Sequence, residues 1–128
     1  MKYYKNTFIL AFISGALAVT LGAFGAHALK EILQNNSLTD SYLTGNRYHF
    51  YHTFALLVVA FLQMQGWQSK WLTWAAYSFL IGILLFSGSL YIMAVSNIRI
   101  LGAITPFGGL AFIAAWLFLV IATLKNKK

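Results

Sequence analysis

The sequence predicts an all-α integral membrane protein, a four-helix bundle with short connections that forms one domain over residues 1–128. Hydrophobic residues make up 60% of the chain and charged residues only 9%, whereas soluble domains carry about 25% charged residues. Charged residues and histidines leave four long uncharged stretches, at residues 6–26, 53–69, 71–98 and 100–124. A helix of about 20 apolar residues crosses the ~30 Å hydrocarbon core of a bilayer and satisfies its own backbone there. We therefore expect transmembrane helices at about residues 7–29, 47–66, 71–95 and 105–124.

The first span carries small residues four positions apart along one stripe, which are Ser14, Ala18, Gly22 and Ala26. Small residues let helix backbones approach closely in lipid, so we expect this stripe to pack inside the bundle. A secretory signal is the alternative, because basic residues precede the apolar run and residues 26–28 read Ala-His-Ala. The apolar run is longer than the usual ~7–15 residues of a signal, and a disposable signal needs no packing stripe. We favour a first helix that is retained.

The connection after the first span is predicted to begin with a short interfacial helix. Residues 30–34 mix apolar and charged side chains, which is typical of a helix at the membrane surface. Residues 37–40 then resemble a capping signal, so a second short helix is expected to lead into the span that begins at Arg47. The turn around residues 67–70 is tight and predicts an antiparallel hairpin of the second and third spans.

The third and fourth spans are predicted from their packing and capping residues. Ser78, Gly82 and Gly88 should mark packed faces of the third span. Residues 96–104 are apolar around Arg99 and should lie in the headgroup region. The fourth span is expected to start with Thr105 as its N-cap and proline at its first helical position.

The cations predict the orientation of the chain. If the helices alternate, one side holds three cations, Lys30, Arg47 and Arg99. The other side holds six, which are Lys2, Lys5, Lys70, Lys125, Lys127 and Lys128. The positive-inside rule places both termini in the cytoplasm. The net charge of +7 then belongs to the membrane edges, and we expect no binding to nucleic acid.

The candidate site is predicted at the outer boundary of the membrane. His27 closes the first span, His52 opens the second, and Arg47 and Arg99 lie at the same level. The amino end of the fourth span, at Thr105, adds free N–H groups that favour an anionic or carbonyl oxygen. We expect His27, His52 and Arg99 to converge there, with these five residues as candidate ligand-binding groups.

Several interpretations of the histidines stay open at this point. The favoured one is structural: the histidines cap helix ends and hydrogen-bond between helices. Three histidines, with Glu31 nearby, would suit a metal site, and His27 with His52 would suit bis-histidine haem. A lipid headgroup or a quinone carbonyl is the remaining possibility. We expect no metal or cofactor. No ionisable residue falls in the central half of a predicted span, which disfavours ion-coupled transport.

Four motifs carry a resemblance to a known family. GAFGAHAL at residues 22–29, YHFYH at 48–52, LFSGSLY at 85–91 and TPFGG at 105–109, followed by Trp116, resemble uncharacterised protein family 0382 in order and spacing. This is the same group as domain of unknown function 423, and it is related to eukaryotic transmembrane protein 256. The resemblance implies a small multi-pass protein of the bacterial plasma membrane and brings no activity, cofactor or catalytic residue. His49 is the less typical histidine of YHFYH, so the resemblance favours a site on His52.

These observations predict a non-enzymatic membrane protein that serves as an accessory subunit or scaffold. The alternative is a ligand-binding or redox-accessory protein that holds a lipid headgroup, a quinone or a metal at the outer cluster. An oligomeric channel ranks third. The expected partners are the lipid bilayer and either further copies of the chain or another membrane protein.

Overall fold

The computed structural model describes residues 3–127, which are helical along most of their length and contain no strand. The helices are α1 (Tyr3–Ala26), α2 (Lys30–Asn35), α3 (Thr39–Met64), α4 (Lys70–Gly82), α5 (Gly88–Ser96) and α6 (Thr105–Lys125). A π-helical segment, Ile83–Ser87, joins α4 to α5, and a 3-10 segment, Arg99–Ala103, precedes α6. The all-helical class and the short helix after α1 are confirmed. Lys2 and Lys128, which the predicted orientation used, lie outside the described residues.

Three of the long helices are apolar enough to cross a membrane. They are Tyr3–Ala26, Lys70–Ser96 and Arg99–Lys125, each at least 24 residues long. The remaining long helix, α3, has 26 residues, or about 39 Å of length. Its residues 39–52 include Asp40, Arg47 and both histidines of the YHFYH motif, and these polar residues lower its hydropathy.

Helix α3 begins eight residues before the predicted start at Arg47, which is about 12 Å along the helix axis. The second short helix expected after Ser37 is therefore the first part of α3 itself. Leu38 occupies the N-cap position without a side-chain cap, so the predicted capping signal is wrong. Nothing between residues 39 and 47 breaks the helix, because its one glycine, Gly45, is held closely against Ser87 and Leu90.

Helix α3 lies at the centre of the fold. It packs on α1 along one side and on α4, the π segment and α5 along the other, while α6 packs on α4 and the π segment. One buried cluster at the carboxyl end of α3 includes Leu56, Val59 and Phe79. A second cluster at its amino end includes Leu33 and Tyr42. Because α1 packs chiefly on α3, a groove remains between α1 and the helix formed by α4, the π segment and α5.

The buried face of α1 follows a heptad-like spacing, through Thr7, Ala11, Ser14, Ala18 and Gly25. The predicted packing stripe is confirmed at its first two residues, but Gly22 is half-buried and Ala26 is exposed. The physical reason is geometric. A strict step of four residues turns about 40° past a full circle each time, so such a stripe winds away from the neighbouring helix within three steps.

The connection into α6 also differs from the prediction. Ile104 is the N-cap residue, and Thr105 is the first helical residue, with no side-chain cap. The hydroxyl of Thr105 instead bonds that of Ser89 across 2.6 Å, because α5 lies within its reach. Pro106 lies in the first turn of α6, as its second helical residue and so one position later than predicted. The tight hairpin between α3 and α4 is also confirmed, and Ser69 caps α4 by accepting the Trp71 N–H.

The π segment lies where three helices meet. Ser87 is fully buried and donates to the Gly45 carbonyl of α3 at 2.6 Å. On the other side, a Cβ at Gly108 of α6 would lie 2.3 Å from the backbone nitrogen of Phe86. Glycine at these positions therefore lets α3 and α6 contact the backbone of the π segment directly.

Candidate functional site

His52 lies in the interior of the helices, not at an open boundary. Its side chain is 5% exposed, and its ring stacks on Phe112 with 3.5 Å between centroids. The Nδ1 atom lies 2.7 Å from the Tyr48 carbonyl oxygen, and the Trp116 indole donates to Nε2 at 3.3 Å. A carbonyl only accepts and an indole N–H only donates. His52 is therefore neutral with its proton on Nδ1, and neither nitrogen is left for a metal or haem iron.

The other predicted site residues have separate surroundings. Arg99 donates from Nη2 to the Asn36 carbonyl at 2.8 Å, which ties the 3-10 segment to the end of α2. Thr105 bonds Ser89. His27 and Arg47 are exposed, and their side chains make no hydrogen bond or ion pair within residues 3–127.

The structure does not join these five residues into one hydrogen-bonded cluster. The expected convergence was based on a second span opening near His52, and α3 begins much earlier. Residues 3–127 also contain no group of three His, Cys, Asp or Glu side chains placed to hold a metal. Ligand binding by His27, Arg47, His52, Arg99 and Thr105 stays a prediction.

His49, the histidine that the resemblance disfavoured, is the centre of a polar chain linking three helices. Its Nε2 lies 3.1 Å from Ser14 Oγ of α1, and its Nδ1 lies 3.0 Å from the Tyr91 hydroxyl of α5. The chain continues on one side to Thr53, whose hydroxyl is 2.6 Å from that of Ser14. On the other side, Asn46 donates to the Tyr91 hydroxyl at 3.0 Å.

The direction of these bonds follows from their donors. The Asn46 Nδ2 group, which also bonds the Ala18 carbonyl, only donates, so the Tyr91 oxygen accepts, and the Tyr91 proton has His49 Nδ1 as its partner. His49 then carries its own proton on Nε2 and donates to Ser14. Both partners of His49 are hydroxyls, which donate or accept equally well. Unlike His52, His49 therefore has partners that suit either neutral tautomer, because only the hydroxyl hydrogens need to reorient.

The polar chain lies near the middle of the helices. Ser14 is the twelfth residue of the 24-residue α1, and His49 is the eleventh residue of the 26-residue α3. The prediction that His52 opens the second long helix is therefore wrong, because α3 starts early and places His49 and His52 near its midpoint. The level of the histidines relative to the membrane boundary stays a prediction. Ionisable residues midway along a membrane-spanning helix generally face a cavity or a partner.

A cavity of about 440 Å³ lies beside the polar chain, in the groove between α1 and the helix that contains the π segment. Its walls are aliphatic and include Leu10, Leu17, Leu80 and Leu84. Its polar lining consists of Ser14, His49 and Tyr91. Leu17 and Leu84 at its rim are exposed, whereas His49 is 3% exposed. We call this cavity the lateral groove: an apolar opening on the side of the molecule with a polar floor.

The sequence contains one signal for the face of α3 that carries the polar chain. Tyr42, Asn46, His49 and Thr53 are spaced by four, three and four residues. The buried residues 7, 11, 14 and 18 of α1 have the same spacing. Two matched 3.5-residue patterns, one polar and one small, predict facing helices. Sequence reasoning singled out the histidines alone and missed Asn46 and Tyr91.

The helices and their exposed apolar surface are those of an integral membrane protein, and the known relatives agree. The family described as "protein of unknown function (DUF423)" matches residues 21–109. The chain belongs to this family, and the predicted resemblance is confirmed.

Several relatives match over nearly their whole length. The UPF0382 membrane protein YwdK of Bacillus subtilis strain 168 is 50% identical, over 94% of this chain and 98% of its own. A UPF0382 membrane protein of Staphylococcus epidermidis is 45% identical, over 94% of this chain and 97% of its own. The UPF0382 inner membrane protein YgdD of Escherichia coli K12 is 38% identical, over 94% and 90%. No solved structure matches the chain.

Proposed function

We propose that this protein is a non-enzymatic, multi-pass protein of the bacterial plasma membrane, whose lateral groove holds a neutral membrane-soluble molecule with a carbonyl or hydroxyl group. The observation that carries this proposal is the position of the His49 chain, halfway along the helices and at the floor of an apolar groove. An accessory function, in which the bound molecule is presented to a membrane partner, follows from the same arrangement.

We include α3 as a fourth span, with both termini cytoplasmic. Its polar residues His49, His52 and Thr53 are buried, while Tyr51, Phe54, Val58 and Phe61 are exposed. A helix that buries its polar side and exposes its apolar side suits a lipid surrounding. The described cations support this orientation through the positive-inside rule. If the four long helices alternate in direction, four lysines lie at one end of the bundle and three cations lie at the other. The four lysines are Lys5, Lys70, Lys125 and Lys127.

The lining of the groove defines the chemistry of the ligand. Leucine and isoleucine walls accept an aliphatic or isoprenoid chain, which enters from the lipid without crossing water. The floor carries a hydroxyl, an imidazole and a phenol that hydrogen-bond to one another, and a ligand oxygen would take the place of one of these partners. No charged side chain lines the groove, and an unpaired ionised group there is costly. A quinone therefore fits this groove better than a phospholipid phosphate.

No reaction is proposed at this site. The chain has no cysteine and two acidic residues, Glu31 and Asp40, which lie in α2 and in the first turn of α3. No acid therefore lies beside His49 to make it a stronger base in the usual arrangement. Binding is the function that these residues support.

The test uses the full chain in mild detergent and a quinone with a short isoprenoid tail, with binding measured by native mass spectrometry. Leu17→Trp places an indole in the groove, and we expect it to abolish quinone binding. Leu110→Trp is the matched control, since Leu110 is exposed on α6 and lines no part of the groove. His49→Leu should weaken binding about fivefold, the effect of one net hydrogen bond.

Equal quinone binding by the Leu17→Trp and Leu110→Trp proteins would refute the assignment of the groove. Equal retention of a plain alkane of the same length would show that the polar floor contributes nothing, and would also contradict the proposal.

A further inference from the structure

We propose a second binding site, for the phosphate group of an anionic phospholipid, at the end of the molecule where α4 begins and α6 ends. A cavity of about 420 Å³ lies there, and three lysines line it, Lys70, Lys125 and Lys127. The rest of its lining is uncharged and polar, apart from Trp71. This basic cavity is separate from the lateral groove and independent of the proposed quinone binding.

Two of the lysines converge on one aromatic ring. The ammonium groups of Lys70 and Lys125 each lie 5.4 Å from the centre of the Trp71 ring, so they are at most twice that distance apart. A cation over an indole gains about 0.5–1 kcal/mol at an exposed position, and the ring adds no negative charge. Two like charges are therefore held near each other without a counterion.

Neither of the two acidic side chains supplies that counterion. The lysines form no ion pair within residues 3–127. Asp40 lies in the first turn of α3 and Glu31 lies in α2, whereas the basic cavity follows the carboxyl end of α3. The length of α3 between Asp40 and Met64 is about 36 Å, several Debye lengths at physiological salt. An external anion therefore suits this position better than any side-chain carboxylate of residues 3–127.

The position of Lys70 adds to the positive potential. It is the first residue of α4, where the helix dipole carries a partial positive charge and disfavours a cation. An anion between Lys70 and Lys125 removes both unfavourable interactions at once. This argument rests on the lysines and their shared ring, and the helix end only reinforces it.

A lipid is favoured over free phosphate because the basic cavity opens where the apolar helices begin. Trp67, Trp71 and Trp74 lie within the first turns of α4 and the hairpin before it, and Trp74 is exposed. Tryptophan concentrates at the level of lipid headgroups. Leu124, next to Lys125, is 80% exposed and offers an apolar surface to an acyl chain.

The experiment compares three probes on the full-length protein in neutral detergent, with binding followed by native mass spectrometry. The probes are phosphatidylglycerol, phosphatidylcholine and inorganic phosphate. We expect phosphatidylglycerol to bind more tightly than phosphatidylcholine. Lys70→Gln with Lys125→Gln should weaken its binding about fivefold for each lysine at low salt. Lys30→Gln removes one exposed charge from the opposite end and should leave the affinity unchanged, so it is the matched control for Lys70→Gln alone.

Equal affinities of the Lys70→Gln and Lys30→Gln proteins for phosphatidylglycerol would overturn the proposal. Inorganic phosphate bound as tightly as the lipid, with the same lysine dependence, would replace the lipid with free phosphate and also overturn it. Lys70→Arg with Lys125→Arg keeps both charges and guards against misfolding of the glutamine variant. Retained lipid binding by the arginine variant supports the proposal, and its loss from a folded arginine variant contradicts it. Leu17→Trp should not affect this binding, so the two proposals fail independently.

Discussion

The contact between α6 and the π segment predicts that alanine substitutions at two adjacent glycines, Gly108 and Gly109, change the stability differently. A Cβ at Gly108 would lie 2.3 Å from the backbone nitrogen of Phe86 and 2.7 Å from its Cα. A Cβ at Gly109 would meet nothing closer than 3.8 Å, on the side chain of the same residue. Gly108→Ala therefore requires movement of a helix backbone by about 1 Å, whereas Gly109→Ala fits in place.

The expected energies have opposite signs. Overpacking in a tight core costs about 1–3 kcal/mol, and a backbone neighbour places Gly108→Ala at the upper end. Gly109→Ala gains up to about 1 kcal/mol of helix propensity. The two proteins should differ by about 2–4 kcal/mol. At about 4 °C per kcal/mol, their melting temperatures should differ by roughly 8–16 °C.

The assay is thermal unfolding of the two purified variants in the same detergent, followed by the monomer peak in size-exclusion chromatography. Gly108→Ala should melt below the unsubstituted protein and Gly109→Ala at or above it. Equal melting temperatures for the two variants would refute the close approach of α6 to the π segment.

The remaining predictions concern α1, α6 and the topology. Trp116→Phe removes the indole N–H that the buried histidine of α3 accepts and should cost about 1 kcal/mol, whereas the exposed Trp74→Phe should cost little; a melting temperature equal for both variants would contradict the assigned tautomer. Gly25→Ala drives a Cβ to 2.3 Å from a buried tyrosine ring and should destabilise the protein more than Gly15→Ala, whose nearest contact is 3.6 Å; the reverse order of thermal stability would disprove the packing of α1. Reporter fusions after the last residue and after Asn36 should lie on opposite sides of the membrane. A mature chain that begins at residue 29, measured by mass spectrometry, would show that the first helix is a cleaved signal.

The boundaries of the apolar helices were predictable because their sequences contain few polar residues. The third and fourth spans, predicted at residues 71–95 and 105–124, correspond to Lys70–Ser96 and Thr105–Lys125. Helix α3 was predicted too short because Arg47 and the histidines interrupt the apolar pattern. That pattern reports the average polarity of a helix and does not show which of its sides is buried. Arg47 is exposed while His49 is buried, although the two are only two positions apart.

The kind of residue at the centre of the polar chain was predictable, but its position was not. A histidine at a helix interface was expected, yet the choice between His49 and His52 depends on partners from other helices. Tyr91 and Ser14 reach His49 from α5 and α1, and Trp116 reaches His52 from α6. Hydrogen bonds between distant parts of a chain leave no periodic signal in any one segment. The matched spacing along α1 and α3 gives the pairing of the helices, but not the bonds that form between them.

The π segment changes the direction in which the side chains of α5 point. A π-helical turn accommodates one more residue than an α-helical turn, and one residue corresponds to about 100° of rotation. The side of α5 that carries Tyr91 is therefore turned by about 100° from where an unbroken α-helix would place it. If Ile83–Ser87 closed into a regular α-helix at unchanged length, the Tyr91 phenol would turn away from His49, whereas deletion of one residue there would remove the π turn and leave Tyr91 on the same side. The extra residue of the π-helical turn thus sets the rotation of α5 and directs Tyr91 into the polar chain around His49.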